Sequence, residues 1–449
     1  MKFGGSSVAN ADRIRHMAEI VKTRLDRKPI VVLSAMGDTT DHLLEAGDAA
    51  LKNGVVSLDK VEELHLKTIA DLKLDEAAIN DMRPLLSELR TLLTGISLIR
   101  ELSGKTKDYL VSFGERLSVR IAAAYFTSQG VKATAIDAWD VGFVSDSNFT
   151  SAELTPESWD LIPAKLLAPA EKGVLQLVTG FLAKDEKGNI TTLGRGGSDL
   201  SATMIAAACK AEEVQVWKDV DGILTADPRV VKNPRPVETV SYEVAAELAY
   251  FGAQVLHPRA MQPCMKTGTP VLVKNSYNPD APGTRIVSAL CEKAGHVITL
   301  TSKSKITLVD IVSSRMLGQY GFLAEVFSLF AKHGLSVDML ATSEVSISLT
   351  LNTSCDLSEL KKDLSRIASV ETKTGKSIVT IIGNVRRSSR ILSHAFSICE
   401  ALGVQVQMIS QGASKVNISF IVDEQETETV IKALHEDFFV NNIEEEVKG

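Results

Sequence analysis

Residues 191–222 read TTLGRGGSDLSATMIAAACKAEEVQVWKDVDG. Gly194, Gly196 and Gly197 enclose Arg195 and lead into an apolar, Ala-rich run from about 199 to 210; Val214-Gln215-Val216-Trp217 and a charged turn follow. A glycine-bearing loop, a helix and a short apolar strand in this succession predict an α/β domain with a largely parallel sheet. Working outward, the apolar runs at 31–34 and 174–178 read as further strands, each followed by a loop rich in Gly, Ser or Asp. Ligands of such sheets bind beyond the carboxyl ends of the strands, so these loops are where a site is expected.

The alternation continues to about residue 290. Within it, 58–103 is a charged, Leu-rich stretch with Glu62, Glu63, Lys67, Asp71 and Asp81, expected to be a solvated helical excursion. Past the turn-rich NSYNPDAPG at 275–283 the character changes, and from about 300 the chain repeats itself. GLSVDM at 334–339 returns as GVQVQM at 403–408, and SEVSIS at 343–348 as SKVNIS at 414–419. Each copy reads as a small βαββαβ unit, which predicts a paired module at 300–372 and 373–449 after a domain at 1–290.

Composition narrows the function classes. With 449 residues and 45% hydrophobic content, the chain can bury several cores. No apolar run approaches the roughly 18 residues of a membrane span. The five cysteines are scattered and odd in number, with no CxxC pair, so neither a disulfide framework nor a zinc site is suggested. A net charge of -7 without a long basic block points away from nucleic acid and towards small-molecule partners. Met1-Lys2-Phe3 enters the Gly4-Gly5 turn after a strand shorter than the usual five or six residues, so a missing preceding segment is expected.

Three constellations carry chemistry. KFGGSS at 2–7 sets two glycines at a strand end, where bare N–H groups can approach phosphate oxygens, with Lys2 as a mobile charge. In LGRGGSD at 193–199, Arg195 can grip a carboxylate or phosphate in bidentate fashion, and Ser198 or Asp199 can cap the helix. Capping alone does not account for an arginine among three glycines. The third, WKDVDG at 217–222 with TADPR at 225–229, ends a strand in acidic and basic groups suited to an adenine nucleotide. Its Asp spacing is not a calcium loop, because Val230 stands where the bidentate Glu belongs. Gly104-Lys105-Thr106 imitates the end of a Walker A loop, but Ile99 replaces the required glycine. Glu115, in SFGER at 112–116, is expected at a helix start, where an acid is ordinarily just favourable to the dipole.

Taken together, KFGGSSV (2–8), VLSAMGDTTDHLL (32–44), VSFGERLS (111–118), TTLGRGGSDL (191–200), VWKDVDGILTADPRVV (216–231) and FGAQVLHP (251–258) resemble the aspartate kinases of the amino-acid kinase superfamily. The stretches at 316–349 and 407–422 resemble that family's two ACT domains, and several blocks are most similar to the monofunctional plant-type, lysine-sensitive enzymes. The resemblance implies an amino-acid kinase fold, a mainly parallel sheet sandwiched by helices, followed by two ACT domains. It implies ATP and Mg²⁺, L-aspartate as substrate, L-lysine as allosteric inhibitor with S-adenosylmethionine as an open second effector, and a homo-oligomer, a dimer, joined through the ACT domains. Plastid stroma is the implied location if the transit peptide is absent from this chain, and the cytoplasm otherwise. Lys2 and Asp199 are the implied catalytic pair; Thr40, Glu115, Arg195 and Ser198 would hold aspartate. Lys2, Gly4, Gly5, Ser6, Lys218, Asp219, Leu224, Arg229 and Gln254 would meet ATP. Met316, Gly321, Phe322 and Leu323, with Asp338, Thr342, Ser343, Glu344 and Val345, would form the allosteric site. No protein-held metal site is implied. The alternatives are a related kinase acting on glutamate, acetylglutamate or carbamate, and a catalytically silent amino-acid sensor.

Overall fold

The structure, a computed structural model, describes residues 1–168, 173–250, 256–288, 297–313, 320–352, 356–385, 388–411 and 416–441. The chain forms two compact units: Met1–Ile223 with Glu238–Ala246 and Val255–Leu290, and Leu224–Val237 with Glu247–Gln254 and Cys291–Gly449.

The first unit is built on an eight-stranded sheet. Its strands run Ala133–Ile136, Leu175–Thr179, Ile30–Leu33, Lys2–Phe3, Val214–Lys218, Val271–Asn275, Thr284–Val287 and Thr239–Ser241, so the two-residue Lys2–Phe3 is central. The first six are parallel, as the alternating pattern predicts. Register puts Thr179, Leu33, Phe3 and Trp217 in one row across four strands. The loops that follow them therefore leave the sheet side by side at one edge. Phe3 and Trp217 stack with ring centroids 5.8 Å apart and are fully buried, which fixes the central strands laterally.

The helix Gly104–Ser128 packs on one face of this sheet, burying Phe113, Leu117 and Phe126. Gly114 is what lets it approach: a Cβ there would lie 2.7 Å from the Cβ of Ala35. The charged stretch at 58–103 forms the helices Asp59–Asp71 and Glu76–Ile99. They are more than a solvated excursion, because Val61, Ile69, Leu85, Leu89 and Leu93 join the main core while Glu63, Lys67, Asp71 and Asp81 stay exposed. Among the described residues no helix is long and apolar enough to cross a membrane.

The second unit holds a six-stranded antiparallel sheet ordered Leu340–Thr342, Ser346–Asn352, Val297–Val312, Ser369–Gly383, Asn417–Asp423 and Met408–Ser410. The repeat seen in sequence appears as two matching hairpins, Leu340 opposite Leu349 and Met408 opposite Ile421. Its cores are interleaved along the chain. Val309 and Ile311 pack with Phe322, Val326, Phe330 and Leu349, whereas Val297 and Leu300, at the start of the same 16-residue strand, pack with Val379, Ile381, Phe420 and Leu434. The second repeat thus takes a strand from before the first.

Candidate active site

The carboxyl edge of the first sheet gathers the loops that the sequence singled out. Lys2 opens the two-residue central strand with only 6% of its surface exposed. Its ammonium lies 2.7 Å from Asp199 Oδ1, and Lys218 Nζ, at the end of the neighbouring strand, lies 3.5 Å from Asp199 Oδ2. Asp199 stands in the first turn of the helix Gly197–Ala208, whose N-terminal end adds a positive partial charge. Burial works to raise the Asp199 pKa, but the Lys2 and Lys218 charges outweigh it and hold the carboxyl below its ordinary value. Burial lowers the Lys218 pKa, and Asp199 opposes that shift. Two ammonium groups and one carboxylate leave the cluster with a net positive charge, suited to a polyanionic ligand.

Facing this cluster, Glu115 projects from the middle of Gly104–Ser128, not from a helix start as its sequence position had implied. It is buried; Oε1 accepts the Ala35 N–H at 3.2 Å, and among the described residues Oε2 has no hydrogen-bond partner. Burial pushes its pKa up to about 8, against the opposing Ala35 N–H and the Lys2 charge. A buried carboxyl oxygen without a hydrogen-bond donor can receive a cationic group, whose charge favours the ionised form.

Lys2, Gly5, Thr40, Glu115, Ser198 and Asp199 line one cavity of about 350 Å³. Its glycines are dictated by close approach: a Cβ on Gly5 would sit 2.9 Å from the Ala35 carbonyl oxygen, and one on Gly196, whose φ is 71°, 2.5 Å from the Cβ of His257. Ser6 lines a neighbouring cavity of about 430 Å³ with Asn10, Arg13 and Tyr277, and the Arg13 guanidinium stacks 3.5 Å over the Tyr277 ring. Arg195 is exposed and does not line the main cavity; its charge helps lower the His257 pKa, after burial and Arg259. Asp219 is exposed beside Lys218. Leu224 and Arg229 belong to the second unit, where the Leu224 carbonyl accepts Thr299 Oγ1–H at 2.8 Å and Arg229 pairs with Asp227 at 2.6 Å. Gln254 and Met316 lie outside the described residues.

Two residues escaped the sequence reading. Phe181 lines the main cavity, signalled only by Gly180 at a strand end. Asp108 is 1% exposed and accepts the Thr150 N–H at 2.8 Å, the Thr192 N–H at 3.0 Å and Thr192 Oγ1–H at 2.8 Å, pinning the strand that leads into Gly194. Among the described residues no three His, Cys, Asp or Glu are placed to hold a metal ion.

In the second unit, Gly321, with φ 89°, caps the helix Phe322–Lys332; Phe322 is buried and Leu323 is 42% exposed. Asp338 Oδ2 is paired with Lys303 Nζ at 2.6 Å, and Asp338 Oδ1 accepts Tyr250 O–H at 3.4 Å. Thr342, Ser343, Glu344 and Val345 are exposed at the turn into Ser346–Asn352, where Ser343 and Ser346 share a 2.6 Å hydroxyl contact.

Residues 1–275 match the amino acid kinase family, and 309–355 with 379–438 match the ACT domain. Chloroplastic aspartokinase 1 of Arabidopsis thaliana is 48% identical over 98% of this chain and 80% of its own. The lysine-sensitive aspartokinase 3 of Escherichia coli is 34% identical over 98% of both chains. Among solved structures, Escherichia coli aspartokinase III with lysine and aspartate (T-state) superposes with a TM-score of 0.83 at 33% identity, covering 98% of both chains. The same enzyme with aspartate and ADP (R-state) gives 0.81 at 32% identity, over 98% of this chain and 99% of that one.

Proposed function

Since the chain belongs to the aspartokinases of the amino acid kinase family, we propose that it transfers the γ-phosphoryl group of ATP to the β-carboxylate of L-aspartate, giving 4-phospho-L-aspartate and ADP. The observation that carries this reading is the buried Lys2–Asp199 ion pair, with Lys218 against its far oxygen, lining the same cavity as Glu115. That cavity brings an ammonium group and a buried carboxyl into one lining.

With an unperturbed pKa near 3.9, the substrate's β-carboxylate is already ionised at neutral pH, so its oxygen attacks the γ-phosphorus without a general base. The bond from the γ-phosphorus to the β–γ bridging oxygen breaks, and ADP carries away the electron pair. Catalysis then reduces to alignment and charge neutralisation. Lys2, steered by Asp199, meets the transferring phosphoryl oxygens while Gly4, Gly5 and Ser6 cradle them. Lys218 meets the nucleotide phosphates. Glu115 takes the α-ammonium of aspartate, Arg195 its α-carboxylate, and Thr40 and Ser198 complete the hold. Asp219, Leu224, Arg229 and Gln254 are assigned to the nucleotide. Among the described residues none form a cage for Mg²⁺, which fits only as a counter-ion brought on the ATP phosphates.

We assign residues 1–290 to the catalytic domain and 300–372 and 373–449 to the two ACT domains, with 297–303 lending a strand to the second. Met316, Gly321–Leu323, Asp338 and 342–345 form the lysine site, and S-adenosylmethionine is the second effector to be titrated. Lysine inhibits by binding the inactive arrangement more tightly than the active one. ACT pairing makes a dimer, the enzyme acts in the plastid stroma, and its product enters lysine, threonine and methionine biosynthesis. The test is hydroxylamine trapping of the acyl phosphate with ATP and aspartate, glutamate or acetylglutamate, with lysine titrated in. Aspartate-specific, lysine-inhibited product is expected; product from another acid, or none, overturns the reading.

A further inference from the structure

Phe181 occupies a backbone conformation that its type seldom adopts. It sits where Leu175–Thr179 gives way to Leu182–Asp185, with φ 69°. The Leu182 N–H donates to the Gly180 carbonyl at 2.8 Å, closing a hydrogen bond over this single residue. That is a γ-turn of the positive-φ kind, which is rare and strained, and positive φ is an outlier for a bulky residue. Strain of this sort persists only where the surroundings over-determine it, typically at ligand clamps.

The surroundings here leave the backbone nothing to offer a ligand. The Phe181 N–H donates to Ser201 Oγ at 3.0 Å, and its carbonyl accepts the Leu193 N–H at 2.9 Å. Ser201 Oγ–H donates in turn to the Gly197 carbonyl at 3.0 Å, tying the turn to the loop that carries Ser198 and Asp199. Phe181 lines the cavity, and with its N–H and carbonyl both engaged, its ring is the part left to meet a ligand. The ring lies hard against that loop: a Cβ on Gly197 would fall 2.6 Å from Phe181 Cδ2. Gly180 is equally close to Ser198, where an added Cβ would meet the serine Cβ at 2.6 Å. A phenyl ring cannot neutralise charge, yet among the described residues Phe181 is the one aromatic in a lining that holds Lys2, Glu115 and Asp199 among small residues. Its contribution is a rigid apolar wall.

We propose that the Phe181 ring, locked over the Gly197–Ser198 backbone by its strained turn, is the gauge that admits a four-carbon amino diacid and refuses the five-carbon one. This rests on the aspartate reading above. An acceptor tethered at its ammonium and at its reacting carboxylate has to place any additional methylene sideways, against a ring packed on the Gly197 backbone.

The full-length enzyme and Phe181→Ala, Phe181→Gly and Phe181→Leu are compared for aspartate and glutamate by acyl-phosphate trapping, alongside thermal melting. The aspartate-over-glutamate ratio of kcat/KM should fall by roughly 10- to 200-fold in the Ala and Gly variants, the usual value of one methylene in an apolar pocket, through a gain in glutamate turnover. Phe181→Gly should melt above Phe181→Ala, because only alanine keeps the positive-φ strain. If either fails to fold, Phe181→Leu carries the test with a shift of at least about threefold toward glutamate. An unchanged ratio, or parallel loss with both acids, overturns the gauge. A wild-type enzyme that phosphorylates neither acid contradicts the aspartokinase reading itself and takes the gauge with it.

Discussion

Replacing Glu115 with glutamine tests the buried carboxyl through stability and binding at once. In the unfolded chain Glu115 ionises near 4.5; in the fold, burial moves it to about 8, outweighing the Ala35 N–H and the Lys2 charge. Between those values the folded protein keeps a proton that the unfolded chain has released. The stabilising contribution of the neutral acid is therefore fully present below 4.5 and is lost as pH rises through 8. Integrated from pH 5 to pH 9, the loss is about 4 kcal/mol, at ~1.4 kcal/mol per pKa unit. Glutamine has the same shape and no titration, so the wild-type minus variant difference in unfolding free energy should fall by about that amount across this range in urea titrations. A substrate ammonium placed beside Oε2 favours the ionised form, so aspartate binding near pH 7 should release close to one proton from the wild type and none from the variant. Calorimetry in buffers of different ionisation enthalpy reads this directly. A variant whose stability follows pH in parallel with the wild type would refute the buried-acid argument. Equal proton release by both would refute the ammonium contact.

Two other changes probe the charge clusters. Asp199→Asn removes the carboxylate that lies between Lys2 and Lys218, so unfolding free energy should drop by about 3–5 kcal/mol and kcat by roughly 10²- to 10³-fold; kcat within a few-fold of wild type would show that Asp199 steers nothing. Asp338→Ala should raise the lysine concentration for half-inhibition roughly 10- to 150-fold, the equivalent of a charged hydrogen bond worth about 1.5–3 kcal/mol, measured against the variant's own uninhibited rate; unchanged inhibition would remove Asp338 from the effector site.

Much of the architecture was legible because apolar runs ending in Gly, Ser or Asp have few other uses. The strands at 30–33, 175–179 and 214–218, the helix after Gly196 and the paired repeat all follow from that pattern. Strand order was not legible: nothing local says that Lys2–Phe3 should divide Ile30–Leu33 from Val214–Lys218. Nor does the single strand Val297–Val312 announce that its two halves serve different cores. Residues with an unusual backbone demand, such as Gly196, or an unusual setting, such as Arg195, stood out. Asp108 and Glu115 did not, because an acid in a helix looks solvated until the fold buries it. Phe181 was hidden for the opposite reason. Its strain lies in φ, and a phenylalanine after a strand gives no sign of it.

The central claim is that Lys2, held 2.7 Å from Asp199, neutralises the phosphoryl group in flight. Its most direct test is kcat for acyl-phosphate formation by Lys2→Met, with circular dichroism confirming the fold. At least a roughly 100-fold loss of kcat is predicted, with a smaller effect on the KM for aspartate. A folded Lys2→Met enzyme turning over at the wild-type rate would contradict the account.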